Sequence, residues 1–324
     1  MEKVRWGIVS AGTIANTFAA DMVHVSNAEI CAVAARSQDS AESFADKYGI
    51  GKAYQGYENL FSDPDIDAVY VGTPHTLHFK NAADALQAGK AVLCEKPLTT
   101  SAKECETLLA VARDTDSYLM EAMWTWFLPA VSMAKKWLDA GRIGKLRHIM
   151  AELGYPKPYD PDSRLYDPAL AGGCLLDMGI YPVAIARYFS QQAPTDIKVI
   201  SRHAPNGVDD DIAMLFNYPS LVATLATSFR CKLPNTAYIV GTEGFITIPH
   251  CWSARECQLF VMHEQVDQFV DQRRGSGLEF QIESVSADIL EGRKESGVVT
   301  HAASLAFQQD MDRIKALFST RLGS

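Results

Sequence analysis

Three short stretches of this chain hold residues that could do chemistry. The first is Gly89-Lys90-Ala91-Val92-Leu93-Cys94-Glu95-Lys96-Pro97-Leu98, where a short apolar run ends in two opposite charges and a proline. Ala91 to Cys94 is long enough for one buried strand. Charges at the end of such a strand are costly unless they pair or face a cleft. Pro97 keeps Lys96 extended, so the lysine leaves the strand in a defined direction. A surface ion pair is the plain alternative. The second stretch, Gly172-Gly173-Cys174-Leu175-Leu176-Asp177-Met178-Gly179-Ile180-Tyr181, puts Asp177 and Tyr181 at i, i+4 on an otherwise apolar helix. That spacing shares one helix face and suggests a polar pocket; a core tyrosine bonded to a structural aspartate is the plain alternative. A tyrosine, with a pKa of about 10, is a poor base at neutral pH. A neighbouring ammonium favours its phenolate. Lys96, Asp177 and Tyr181 are therefore candidate site residues.

The third stretch, Ser10-Ala11-Gly12-Thr13-Ile14-Ala15, is a Gly-x-Gly-x-x-Gly fingerprint with Ser first and Ala third. Gly12 would let backbone approach a pyrophosphate, and Ala15 is small enough for helix against strand. The helix start at Thr13 and Ile14 would supply N–H groups and positive potential for the phosphates. The strand before Arg36 and Ser37 ends in Ala34-Ala35, without the acid that usually holds a ribose 2′-OH. Arg36 and Ser37 could instead hold a 2′-phosphate, which predicts NADP(H) preferred and NAD(H) possible. Thr73, Pro74, His75, His78, Glu95 and Lys96 complete the candidate cofactor contacts at strand carboxyl ends. His75 and His78, at i, i+3, invite a metal check. No third ligand is spaced nearby, and no metal is expected. Trp124, Trp126, Phe127 and Arg147, with Asp177 and Tyr181, are the candidate substrate contacts.

Strand and helix alternate from residue 4 to residue 122, which argues a doubly wound parallel sheet. The pattern changes after Trp124-Thr125-Trp126-Phe127. Tyr155 to Ala171 is a polar excursion long enough for a functional loop. From Ile197 to Phe269 the chain reads mostly as antiparallel strands, with Gly241-Thr242-Glu243-Gly244 as a hairpin turn. Two helices, 279–291 and 300–317, close the chain. The fold class expected is α/β plus α+β. Residues 1–122 form a Rossmann domain, and residues 123–324 a substrate-binding domain with a large, mostly antiparallel, open-faced sheet.

Composition sets outer bounds. With 48% hydrophobic and 21% charged residues among 324, the chain is of ordinary globular kind. A formal net charge of −9 without a long basic run argues against nucleic acid or anionic membrane as partners. The N-terminus has no signal-peptide pattern, no apolar run is expected to reach membrane-spanning length, and seven scattered cysteines suggest reduced thiols. The expected location is cytoplasmic.

In order, the Gly7–Ala15 fingerprint, Thr73-Pro74-His75 with His78, Glu95-Lys96-Pro97, and Gly172-Gly173 through Asp177 to Tyr181 resemble the glucose-fructose oxidoreductase / inositol dehydrogenase (Gfo/Idh/MocA) family over nearly the whole chain. The resemblance implies NADP(H)-dependent hydride transfer to or from a cyclic diol or sugar, with Lys96 and Tyr181 in catalysis and Asp177 in support. It also implies a cis peptide before Pro97 and a homodimer through the open sheet face. Most of the family has His at the position of Tyr181. The branch with Tyr there usually has Arg at the position of Trp126. Two alternatives remain: an aldose or inositol dehydrogenase with the same machinery, and a non-catalytic cofactor-sensing regulator. Retention of Lys96, Asp177 and Tyr181 argues against the second.

Overall fold

The computed structural model of the chain describes residues 2–318. It divides into two compact units.

The first unit runs to Trp124 and takes in residues 273–305. Its strands and helices alternate: β1 (Val4–Val9), α1 (Thr13–Asp21), β2 (Ala28–Ala35), α2 (Gln38–Tyr48), β3 (Lys52–Gln55), α3 (Glu58–Ser62), β4 (Ala68–Val71), α4 (His78–Gln87), β5 (Ala91–Glu95), α5 (Ala102–Asp114) and β6 (Leu119–Ala122). The six strands are parallel in the order β3-β2-β1-β4-β5-β6. The order reverses direction at β1, the switch point beside which such sheets bind nucleotides. β4, β5 and β6 are buried throughout, as near-continuous apolar strands covered on both faces should be.

The second unit runs from Thr125 to Gln272 and resumes at Ala306. It holds α6 (Pro129–Asp139), β7 (Leu146–Gly154), α7 (Ile180–Ser190), β8 (Asp196–His203), β9 (Asp209–Asn217), β10 (Val222–Ser228), β11 (Ala237–Gly241), β12 (Gly244–Ile248), β13 (Glu256–Val261) and β14 (Glu264–Val270). They form one sheet in the order β14-β13-β12-β11-β7-β10-β9-β8, antiparallel except where β7 meets β10. Along β9 and β10 burial alternates residue by residue, the mark of a sheet with one covered face. α7 packs on that face against β7 and β10.

Two expectations are corrected. Residues after 123 do not all belong to the second unit. α8 (Leu278–Leu290) returns to the first, where Leu278, Ile282 and Val285 are buried and Ser286 Oγ accepts from Trp6 Nε1 at 3.1 Å. The boundary back to the second unit falls within α9 (His301–Ala316). The expectation of no membrane-length apolar stretch also fails, because Pro168–Ser190 is long and apolar enough by composition. Burial inside the protein covers 72% of its apolar window, which is how a core helix behaves.

Candidate functional site

In the first unit, β1 delivers the chain to Ser10, whose φ of +128° is one that glycine normally supplies. Serine therefore stands in the fingerprint's first position with a strained backbone, the kind of outlier that gathers at binding sites. Its hydroxyl accepts from the Gly12 N–H at 3.0 Å and closes the turn. Gly12 then caps α1 with extended backbone and no side-chain bond to the helix start. The first N–H groups of α1, at Thr13 and Ile14, are left for a ligand. A Cβ on Gly12 would lie 3.2 Å from Ser10 Oγ, so glycine keeps this approach open. These features fit a dinucleotide pyrophosphate. Arg36 and Ser37 are exposed at the end of β2, beside the buried Ala35. The Ser37 hydroxyl caps α2, accepting from Ser40 N at 3.3 Å and donating to Ser40 Oγ at 2.8 Å, which leaves Arg36 as the available cation there.

At the carboxyl ends of β4, β5 and β6 the structure builds a clamp around Lys96. The Lys96–Pro97 bond is cis. Three side chains hold this turn. Lys96 N donates to Glu95 Oε2 at 3.2 Å, Pro97 O lies 2.8 Å from His78 Nδ1, and Leu98 N donates to Glu121 Oε1 at 2.8 Å. The far ring nitrogen of His78 lies 2.8 Å from Thr73 O, so this histidine ties the end of β4 to the lysine turn. His78 is fully buried, and both its ring nitrogens face backbone carbonyls. Glu95 is likewise internal, taking the Tyr70 hydroxyl at 2.6 Å on its other oxygen. Tyr70 is stacked on Phe18 of α1. His78 and Glu95 thus support the site from behind instead of lining it. Thr73 Oγ1 accepts from Asn81 Nδ2, and His75 is buried against the His78 ring. Burial raises the Glu95 carboxyl above its ordinary value against the pull of Tyr70 and Lys96. Burial pushes Glu121 further, up to about 7.

In the second unit, Leu175–Gly179 form a π-helical turn that runs directly into α7. The expected plain α-turn between Asp177 and Tyr181 is therefore wider, a local insertion of the type found at functional sites. The turn is fixed from β9. Asp209 Oδ2 accepts from Leu175 N at 2.8 Å and from the Cys174 thiol at 3.5 Å. Gly173, with φ +133°, passes so close that a Cβ there would stand 2.3 Å from Asp209 Oδ1. Asp177 pairs with Arg164 of the 155–171 excursion at 3.3 Å. The Tyr181 ring lies 6.1 Å from that of Trp252, which meets Tyr155 edge-on at 6.4 Å. Lys232 Nζ sits 3.8 Å over the Tyr155 ring. Arg164, Trp252, Tyr155 and Lys232 were not singled out from sequence. They lie far apart in the chain, and only the length and polarity of the 155–171 loop hinted at two of them, Tyr155 and Arg164.

The expected substrate contacts divide. Trp126 packs against Tyr188 and Phe307, and its Nε1 donates to Ala184 O at 3.2 Å, so it is held in the second unit's core. Phe127 is half-buried next to it, and Trp124 is buried in the first unit. Arg147 is exposed at the start of β7, donating to Ser220 O at 3.2 Å. The π-turn stands at the opposite end of that strand pair, where Gly154 pairs with Ser228. Seven residues of strand put Arg147 about 23 Å away from that end. The structure does not bring it to Asp177 and Tyr181. Among the described residues no cluster of three or more His, Cys, Asp or Glu could hold a metal.

Residues 4–123 match the oxidoreductase family with the NAD-binding Rossmann fold, and residues 131–247 match the GFO/IDH/MocA C-terminal domain. The trans-1,2-dihydrobenzene-1,2-diol dehydrogenase of Mus musculus is 39% identical over 315 residues, covering 93% of this chain and 92% of that one.

The chain belongs to the Gfo/Idh/MocA family.

The Homo sapiens enzyme of the same name is 36% identical over 322 residues, covering 96% of each chain. Among solved structures, a 3-ketoreductase from Actinomadura kijaniata in complex with NADP and TDP-benzene is 26% identical, with a TM-score of 0.85 over 97% of this chain and 98% of that one. An aldose-aldose oxidoreductase from Caulobacter crescentus superposes with a TM-score of 0.90 over 98% and 97% at 23% identity, a likeness of fold. This Gfo/Idh/MocA member is an NAD(P)-dependent dehydrogenase acting on CH–OH groups.

Proposed function

We propose that the chain interconverts the hydroxyl and carbonyl of a cyclic diol or sugar, with NADP(H) preferred over NAD(H). The observation that carries the reading is the clamp on Lys96: three bonds fix the turn that presents one lysine at the carboxyl end of a Rossmann strand. Sequence relatives named for a dihydrodiol support the substrate class.

Ser10, Gly12, Thr13 and Ile14 would hold the cofactor pyrophosphate, and Arg36 the 2′-phosphate. When bound, the nicotinamide supplies hydride exchange at the carbinol carbon. Tyr181 Oη takes the substrate hydroxyl proton in oxidation and returns it in reduction. Lys96, as an ammonium, favours the phenolate and lowers the pH at which Tyr181 can act. Asp177, braced by Arg164, keeps the π-turn side chains in place. The aromatic group of Tyr181, Trp252 and Tyr155 suits a planar, partly apolar ring. The Arg164–Asp177 pair favours a second reading, in which a polyhydroxylated sugar is the substrate.

The experiment is a panel of dihydrodiols, aldoses and inositols incubated with NADP and with NAD, followed by NADPH or NADH absorbance. Turnover of cyclic diols ahead of sugars supports the first reading. Turnover of sugars alone supports the second, and none with any hydroxyl substrate contradicts both.

A further inference from the structure

Glu121 stands directly behind the catalytic turn and no step above uses it. It comes from β6, where Cys94 of β5 is its register partner. The residue is 1% exposed. One carboxyl oxygen accepts the Leu98 N–H, two residues after Lys96; the other, Oε2, is buried without a hydrogen bond. A carboxyl so enclosed is costly to ionise unless a charge offsets it. The groups facing it are few. β5 brings the Glu95 carboxyl and the Cys94 thiol, the turn after it the Lys96 ammonium, α5 the Cys105 thiol, and α9 the Ser304 hydroxyl. Only Lys96 among them is a cation. A neutral amide would hold the Leu98 N–H equally well, so backbone capping alone gives no reason for an acid here.

We propose that Glu121 is a positioning residue for Lys96: its carboxyl fixes the turn that aims the lysine and, when ionised, holds that lysine in its ammonium form. The proposal rests on the reading of Lys96 as the group that tunes Tyr181. It explains an acid at a position where an amide would cap the Leu98 N–H equally well. Burial pushes the Glu121 carboxyl up to about 7, so its charge changes in the range where a dehydrogenase works. An added negative charge raises the proton affinity of every acid near it. Ionised Glu121 therefore raises the pH at which Lys96 loses its proton, and the pH at which the Lys96–Tyr181 pair passes its proton on. The two groups titrate as a pair, so both limbs of the rate profile carry the effect.

Glu121→Gln keeps an acceptor for Leu98 N–H and removes the charge; Glu121→Ala removes both. The first measurement is the titration of the Lys96 Nζ resonance in full-length protein carrying 15N-lysine, assigned by its loss in Lys96→Met. In Glu121→Gln the Lys96 midpoint should fall by roughly one pH unit, the effect of one nearby charge at protein-like dielectric. An unchanged midpoint overturns the proposal. Should the variant fail to fold, the wild-type Lys96 resonance must show a second inflection near neutral pH as Glu121 ionises, and its absence overturns the proposal equally. The second measurement is the pH dependence of kcat/KM with NADP and the best substrate of the panel. Both limbs should move to lower pH in Glu121→Gln, whereas a residue serving only as a clamp would leave them in place and show loss in Glu121→Ala alone. Failure of the underlying reading looks different: Lys96→Met would then retain turnover while the Lys96 titration still shifts.

Discussion

Gly173→Ala should damage the site without touching substrate or cofactor. Two costs can be read from the structure. Gly173 has φ +133°, which an alanine adopts only under strain of about 1–3 kcal/mol. The new Cβ would also stand 2.3 Å from Asp209 Oδ1. Asp209 cannot swing away freely, because its other oxygen accepts the Leu175 N–H at 2.8 Å. Displacing it forfeits a hydrogen bond to a carboxylate worth about 1.5–3 kcal/mol. Together the change should cost about 2.5–6 kcal/mol. In an Asp209→Ala background the second cost has already been met, so Gly173→Ala should add only the strain of about 1–3 kcal/mol. Urea unfolding of the four proteins measures this coupling directly, and kcat on the panel substrate reports whether the π-turn side chains have moved. A single Gly173→Ala protein within about 0.5 kcal/mol of wild type, or strict additivity with Asp209→Ala, would refute the reasoning.

Arg36→Ala should weaken NADP by roughly tenfold to a hundredfold, the worth of one charge-assisted contact, and leave NAD nearly unchanged; equal loss of both would make Arg36 structural. The second unit's open sheet face carries exposed Met150, Ile200, Leu215 and Tyr238 on neighbouring strands, and we propose that a second copy of the chain covers it. Light scattering at micromolar concentration should then show a dimer that Ile200→Glu with Leu215→Glu converts to monomer, and a monomeric wild type would end that proposal.

The Rossmann half was legible because its signals are local. Each strand is one apolar run closed by a turn, and the parallel order follows from alternation with helices. The antiparallel character of β8 to β14 was also legible, since period-two alternation is written into segments such as Leu221-Val222-Ala223-Thr224-Leu225. What escaped depends on contacts between distant residues. α8 has an apolar stripe like any other helix, and only tertiary contacts such as the Trp6–Ser286 bond and the Leu278 N–H to Asp21 assign it to the first unit. The parallel meeting of β7 and β10 needs a long crossover that no local pattern announces. His78 was visible as a histidine at a strand end, but its two backbone carbonyl partners are fixed by tertiary structure. Arg147 misled because a charge near a loop looks like a site residue until strand length places it at the far end of β7. Trp252 carried no motif at all and is known only from its place beside Tyr181.

The central claim is that Lys96 and Tyr181 act as one acid–base unit. Its most direct test is a two-by-two cycle of Lys96→Met and Tyr181→Phe, measuring kcat on the panel substrate and the NADPH dissociation constant. Each single change should lower kcat by on the order of 10²–10⁴, the usual span for general acid–base catalysis. The double variant should be little worse than the poorer single one, because groups acting as a unit are not additive. NADPH affinity should change far less than kcat in Tyr181→Phe. Near-wild-type turnover in Tyr181→Phe, or losses that simply multiply in the double variant, would contradict the account.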